Sequence, residues 1–152
     1  MTHIRESEMA YCQAGGLGET LRAVFRQYRD AAGDVRWPMV AKVGDMRAAR
    51  DVIAIVHECE VKDDFARCEV AFGPAEGGPF PRFTGTLTVR GEGASLTRLE
   101  IDGTYDAPLG IAGAAFDAAF GARMARWSIR HFLRALSDDV EAANLFALEY
   151  GD

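Results

Sequence analysis

Phe83-Thr84-Gly85-Thr86-Leu87-Thr88-Val89-Arg90 and Leu96-Thr97-Arg98-Leu99-Glu100-Ile101-Asp102-Gly103-Thr104-Tyr105, parted by the turn Gly91-Glu92-Gly93, decide how this chain is read. In the first, Gly85, Leu87 and Val89 alternate with Thr84, Thr86 and Thr88. In the second, Leu99, Ile101, Gly103 and Tyr105 alternate with Arg98, Glu100, Asp102 and Thr104. A period of two belongs to a strand, whose successive side chains point to opposite faces. Apolar positions on one face and polar ones on the other predict an antiparallel sheet with one face in water.

The same pattern extends upstream. Ile53, Ile55, His57, Cys59 and Val61 alternate with Ala54, Val56, Glu58 and Glu60, which predicts that the first set faces inward. Lys62-Asp63-Asp64-Phe65 reads as a hairpin turn, and Ala66, Cys68, Val70 and Phe72 continue the inward face on the return. With Asp63-Asp64 as a two-residue turn, Cys59 falls opposite Cys68 and Glu60 opposite Arg67. The same register sets Glu58 against Glu69, a like-charge pair that argues against it. A Gly/Pro-rich loop, Gly73 to Pro81, joins this hairpin to the next.

Downstream, a long helix begins beyond Ala107-Pro108-Leu109-Gly110 and runs to about Val140, with a break near Gly121 left open. At about 100° per residue, Arg123, Arg126, Arg130 and Arg134 gather on one edge. Met124, Trp127, Ile129, His131, Phe132, Leu136 and Val140 spread over a wider opposite arc, which the inner face of the sheet is expected to cover. The fold class predicted is therefore α+β, an antiparallel meander of at least four strands closed by one long helix.

Residues 1–51 read less clearly. A short strand is expected around Met9 to Gln13, with His3 in a tail, then the turn Ala14 to Gly18. A helix from about Glu19 to Asp30 follows, with Leu21, Val24, Phe25 and Tyr28 as its apolar stripe. Trp37-Pro38 suggests entry into a strand through Val43, and Asp45 to Ala49 fits a helical turn as well as a strand.

The chain has 152 residues and 16.5 kDa, the size of one domain able to bury a real core without staples. A net charge of −6 excludes a surface built to neutralise phosphates, so neither nucleic acid nor an anionic membrane is an expected partner. Cys12, Cys59 and Cys68 show no C-x-x-C spacing and predict neither a disulfide framework nor a zinc knuckle. With three histidines lacking ligand spacing, no metal site is expected, and no cofactor motif is read. Acidic residues near the start argue against a signal peptide, and Val52 to Val56 is far shorter than the roughly 20 apolar residues of a membrane helix. The expectation is a cytoplasmic protein without integral membrane association, with homodimer formation left open.

The run Phe80-Pro81-Arg82-Phe83-Thr84-Gly85-Thr86-Leu87-Thr88-Val89, the strand Thr97 to Tyr105, then Pro108-Leu109-Gly110 and a long Arg-bearing helix resemble the SRPBCC superfamily. This is the START-like, polyketide cyclase and lipid-transport group with the helix-grip fold. The resemblance covers roughly Val52 to Val140 and implies a hydrophobic cavity between sheet and helix. It implies no catalytic residue, because that superfamily has no universal catalytic motif. The N-terminal third departs from the group's usual form, in which a first strand leads into two short helices; one helix is evident here.

If such a cavity exists, its expected lining is Cys59, Cys68, Phe72, Phe83, Leu87, Leu99, Ile101 and Tyr105 from strands and Phe116, Phe120, Met124, Trp127 and His131 from the helix. The small residues Gly85, Gly103, Ala66 and Gly121 would leave volume there; a solid aromatic core is the other reading of the same residues. His131, Tyr105 and Asp106 are the polar groups that would orient a small hydrophobic ligand. For an enzyme of cyclase, dehydratase or hydrolase type, His131 or Asp106 would be the general base. The plainer readings are a core histidine satisfied by a carbonyl, a turn cap at Tyr105 and Asp106, and a solvated arginine edge. A third alternative is a non-catalytic interaction module with a filled interior. Gly15-Gly16-Leu17-Gly18 matches no phosphate-binding fingerprint and is read as a turn.

Overall fold

A computed structural model describes residues 2–41, 50–74, 82–106 and 114–150. Strand β1 (Thr2–Tyr11) leads through a 3-10 turn (Ala14–Gly16) into helix α1 (Leu17–Arg26). Strands β2 (Val35–Ala41), β3 (Arg50–Val61), β4 (Phe65–Pro74), β5 (Arg82–Gly91) and β6 (Leu96–Asp106) follow, then helix α2 (Ala114–Tyr150). The strands form one antiparallel sheet in the order β1-β6-β5-β4-β3-β2.

The β5–β6 hairpin follows its alternation without interruption. Phe83, Leu87 and Val89 on β5, and Thr97, Leu99, Ile101 and Tyr105 on β6, are all buried. Gly85 lies opposite Gly103, and the pair lets the two backbones approach closely. A Cβ at Gly85 would sit 2.5 Å from the Asp102 carbonyl oxygen, and one at Gly103 would overlap the Thr84 carbonyl oxygen and the Phe83 ring. The space that Gly103 vacates is thus taken in part by Phe83.

The β3–β4 hairpin departs from its alternation. From the turn to Glu60 the register is as read from sequence: Val61 pairs with Ala66 and Glu60 with Arg67, and Lys62 N–H donates to the Phe65 carbonyl at 2.7 Å. Between His57 and Glu60 the register shifts by a β-bulge, with Glu58 at φ 49°. One extra residue reverses which side chains face inward. Beyond the bulge Val52, Ala54 and Val56 are buried, while Ile53, Ile55 and His57 turn to the other face, contrary to the simple alternation. The bulge also removes the expected Glu58–Glu69 pairing, because Glu69 pairs with His57 instead. Cys59 and Cys68 are joined as a disulfide, which corrects the expectation that the cysteines are unpaired.

The N-terminal segment is a full strand, not a tail with a short strand. Thr2 to Tyr11 pairs with β6 along its whole length, and His3 contacts Asp102 on the outer face. Glu6 and Glu8 occupy the same face as the buried Ile4 and Ala10, which obscures the pattern. Helix α2 supplies what those carboxylates need: Arg126 Nη1 is 3.4 Å and Arg130 Nε 3.2 Å from Glu6, whose side chain is only 14% exposed. That corrects the reading of a wholly solvated arginine edge.

Side chains of α2 also cover part of the open edge of β1. Ser137 Oγ donates to the Met9 carbonyl at 2.8 Å, Glu141 accepts from Tyr11 N–H at 3.1 Å, and Asn144 accepts from Gln13 N–H at 3.3 Å. At the other edge, Arg36 N–H donates outward to the Tyr28 carbonyl at 2.9 Å, and Pro38, two residues on, has no N–H to offer. These contacts occupy part of each edge, from Met9 to Gln13 on one side and at Arg36 and Pro38 on the other.

Helix α1 buries Leu21, Val24 and Phe25 as its stripe predicts and ends at Arg26, four residues before the expected stop. Gly18 N–H donates to the Asp63 carbonyl at 3.0 Å, and a Cβ there would overlap the Lys62 carbonyl, so this glycine serves close packing of α1 on the hairpin turn. Helix α2 is one uninterrupted element of 37 residues, with no break at Gly121. The strand expected through Val43 is β2 over its described residues, Val35–Ala41, and residues 42–49 lie outside the described residues.

Candidate functional site

The sheet's inner face and the face of α2 laid on it form the candidate site. Ala125, Ile129, Phe132, Leu133, Leu136 and Val140 are buried on one stripe of the helix, at the i, i+4, i+7 and i+11 spacings that an amphipathic helix requires. Phe132 is the wedge. Its ring meets Trp37 edge-on at 5.2 Å between centroids and Phe72 at 5.5 Å, and Phe72 lies 5.7 Å from Phe83. Tyr28 stacks on Trp37 at 3.9 Å and donates its hydroxyl hydrogen to Asp139 at 2.9 Å. Burial, then the hydrogen bond and the charge of Asp139, push the Tyr28 phenol upward. Offset and edge-on aromatic pairs add about 0.5–1.5 kcal/mol each beyond the area they bury.

Of the residues expected to line a cavity, Cys68, Phe72, Phe83, Leu87, Leu99, Ile101 and Tyr105 are buried on the inner face and brought together there. Cys59 is exposed, at the end of β3 beyond the bulge, though its sulfur bonds to Cys68. Trp127 is half-buried, and His131 is exposed, stacked on Trp127 at 4.7 Å with 11° between the planes. The reason is angular: at about 100° per residue, His131 lies roughly 150° around the helix from the centre of the buried stripe. It is neither a core histidine nor a group facing the sheet. The side chains of Asp106, Phe116, Phe120 and Met124 lie outside the described residues.

Two surface grooves flank this interior. One, of about 800 Å³, runs between α1 and the last turns of α2 past Thr20, Ala23, Gln27, Ala143 and Phe146. The other, of about 420 Å³, lies where β2 begins and leaves the rest of β3 uncovered, with Arg22, Phe25, Val35, His57 and Cys59 on its walls. Among the described residues of the expected lining, only Cys59 borders either groove. Cys12 is a free, buried cysteine, and burial pushes its thiol up. Sequence reasoning missed the Glu6–Arg126–Arg130 contact, because its partners lie over 100 residues apart on different elements.

No protein-family model matches the sequence, and no curated protein matches it. Solved structures do resemble it. A START superfamily protein from Mycobacterium smegmatis superposes with a TM-score of 0.50 at 14% identity, covering 92% of this chain and 97% of that one. A hypothetical protein from Helicobacter pylori gives 0.49 at 11% identity, over 94% and 88% of the two chains. The Zhui aromatase/cyclase from Streptomyces gives 0.46 at 11% identity, over 97% and 95%. At such identities the likeness concerns architecture, and it agrees with the antiparallel sheet and long C-terminal helix seen here. The chain has the START-like helix-grip fold.

Proposed function

We propose that the protein binds a small hydrophobic or aromatic molecule, lipid- or polyketide-like, between the inner face of the sheet and helix α2. One observation carries the reading: an aromatic row crosses the inner face beside the part that α2 covers. Under Ile129 to Val140 the helix fills it with its own side chains. The direction of α2 is set by Arg126 and Arg130 at Glu6 and Ser137 at Met9. Its earlier turns therefore run toward the start of β1, which pairs with the Tyr105 end of β6. At that end the sheet offers Tyr105 and Phe83 as an aromatic floor, and Phe72, next in the row, lies against Phe132. Burial of a guest's apolar surface there would supply the affinity, at roughly 25 cal/mol per Å² before association costs. Tyr105 is the polar residue of that floor.

A general base at His131 finds no support, because its imidazole is on the exposed side of α2. The proposal is therefore one of binding rather than catalysis.

The test is titration of the full chain with 1-anilinonaphthalene-8-sulfonate and with a medium-chain fatty acid, read by Trp37 fluorescence and native mass spectrometry. Saturable one-to-one binding is expected, weakened by Phe83→Leu and altered in ligand preference by Tyr105→Phe. Absence of saturable binding for both probes overturns the reading and leaves an interaction module with a filled interior.

A further inference from the structure

We infer that the bulge in β3 builds a binding site for a divalent transition-series cation on the outer face of the sheet, from His57, Glu58 and Glu69. The ligand atoms these three side chains offer all lie within 4.8 Å of one another. The site is on the face opposite the proposed ligand space and does not depend on that reading.

The backbone explains how the three meet. His57 pairs directly with Glu69 across the β3–β4 ladder, so both side chains rise from one face. In regular pairing the neighbour Glu58 would point through the sheet to the other face. The bulge, with Glu58 at φ 49°, sets its carboxylate beside the other two.

Two carboxylates on neighbouring strands repel, and like charges facing each other destabilise a sheet. Elsewhere the sheet's outer face pairs its acids with bases, as Arg5 does with Glu100 at 3.0 Å. Among the described residues, neither Glu58 nor Glu69 has such an ion-pair partner. A divalent cation supplies the missing charge, and the imidazole selects its kind. One nitrogen and two carboxylate oxygens suit Zn²⁺ or Co²⁺, whereas Mg²⁺ prefers an all-oxygen octahedron that keeps most of its water. Ligand atoms around a tetrahedral ion with bonds of about 2.0–2.2 Å stand roughly 3.4 Å apart, so the side chains close by about an ångström on binding. Both glutamates are exposed and free to rotate that far. Three protein ligands leave a coordination position for water or for a donor from another molecule.

The experiment uses the untagged, oxidised full chain. Co²⁺ is titrated in and followed by its visible absorption, then displaced with Zn²⁺ and followed by calorimetry. One saturable equivalent is expected, with affinity falling at least about tenfold in His57→Ala and in Glu69→Gln. His3→Ala and His131→Ala are expected to leave the titration unchanged, and Mg²⁺ to compete poorly. The three ligands are surface side chains, and far-ultraviolet circular dichroism checks that each variant is folded. A featureless Co²⁺ titration up to millimolar concentration, or binding by His57→Ala equal to that of the parent, overturns the site. Loss of binding in His3→Ala or His131→Ala also overturns it, by moving the metal elsewhere.

Discussion

Two hairpins of one sheet, β5–β6 and β3–β4, handle the same alternating pattern differently. In β5–β6 every second residue from Phe83 to Tyr105 keeps its face, and the two strands press together at Gly85 and Gly103. In β3–β4 a single extra residue at Glu58 reverses the inward set halfway along, and a disulfide from Cys59 to Cys68 ties the strands just beyond. The first hairpin contributes the aromatic floor of the proposed ligand space, and the second contributes an out-of-pattern cluster on the opposite face. Regular pairing transmits a hydrophobic pattern into a core; a bulge assembles side chains that no periodic rule would group.

The contrast is broken most severely by Gly103→Ala. A methyl there overlaps backbone of β5, and overpacking of that kind is expected to cost about 3 kcal/mol. Urea unfolding measures it, and a loss below about 0.5 kcal/mol would mean that the strands do not approach so closely.

Next comes the disulfide, which spans a sequence separation of 9. In the loop-entropy account, Cys59→Ser with Cys68→Ala lowers stability by about 2–3 kcal/mol, and a phosphine reductant does the same to the parent. Equal melting temperatures with and without reductant would show that the second hairpin does not rely on its cross-link.

Glu58→Gly acts in the other direction. Glycine adopts the positive φ of the bulge without penalty, so stability rises by about 0.5–1 kcal/mol, while cobalt binding weakens. A decrease in stability would place the strain elsewhere.

The smallest effect belongs to the turn of the first hairpin. Arg98 donates to both carboxylate oxygens of Glu92, at 2.6 and 3.1 Å, and this hydrogen bonding holds the Glu92 carboxyl below its usual range. A depressed folded-state value contributes stability that is present above the ordinary carboxylate range and is lost as pH falls through the depressed value. Glu92→Gln is therefore slightly less stable than the parent at pH 7, and the two melting temperatures converge in strong acid. A gap that widens in acid would reverse the assignment.

How far the fold could be read depended on where each side chain's partner lies. Leu87, Leu99, Ile101 and Tyr105 were legible because their burial follows from alternation within one strand. The α1 stripe was legible for the same reason at helical spacing. Strand β1 was not, because Glu6 and Glu8 sit on its inner face and Glu6 is tolerated only through Arg126 and Arg130, more than a hundred residues away. His131 was misplaced because a broad apolar arc does not say which part of it meets the sheet; Ile129, Phe132 and Leu136 occupy that part.

Local periodicity alone determined the strands from Phe65 to Tyr105, the two helices and the α+β class, since near-neighbour spacing dictates which face turns from water. Only tertiary structure decided the bulge at Glu58, the partial covering of the β1 edge by Ser137, Glu141 and Asn144, and the outward turn of His131. Those outcomes are settled by pairing and packing between elements, and a one-residue change of register outweighs any local preference because it moves every later side chain to the other face.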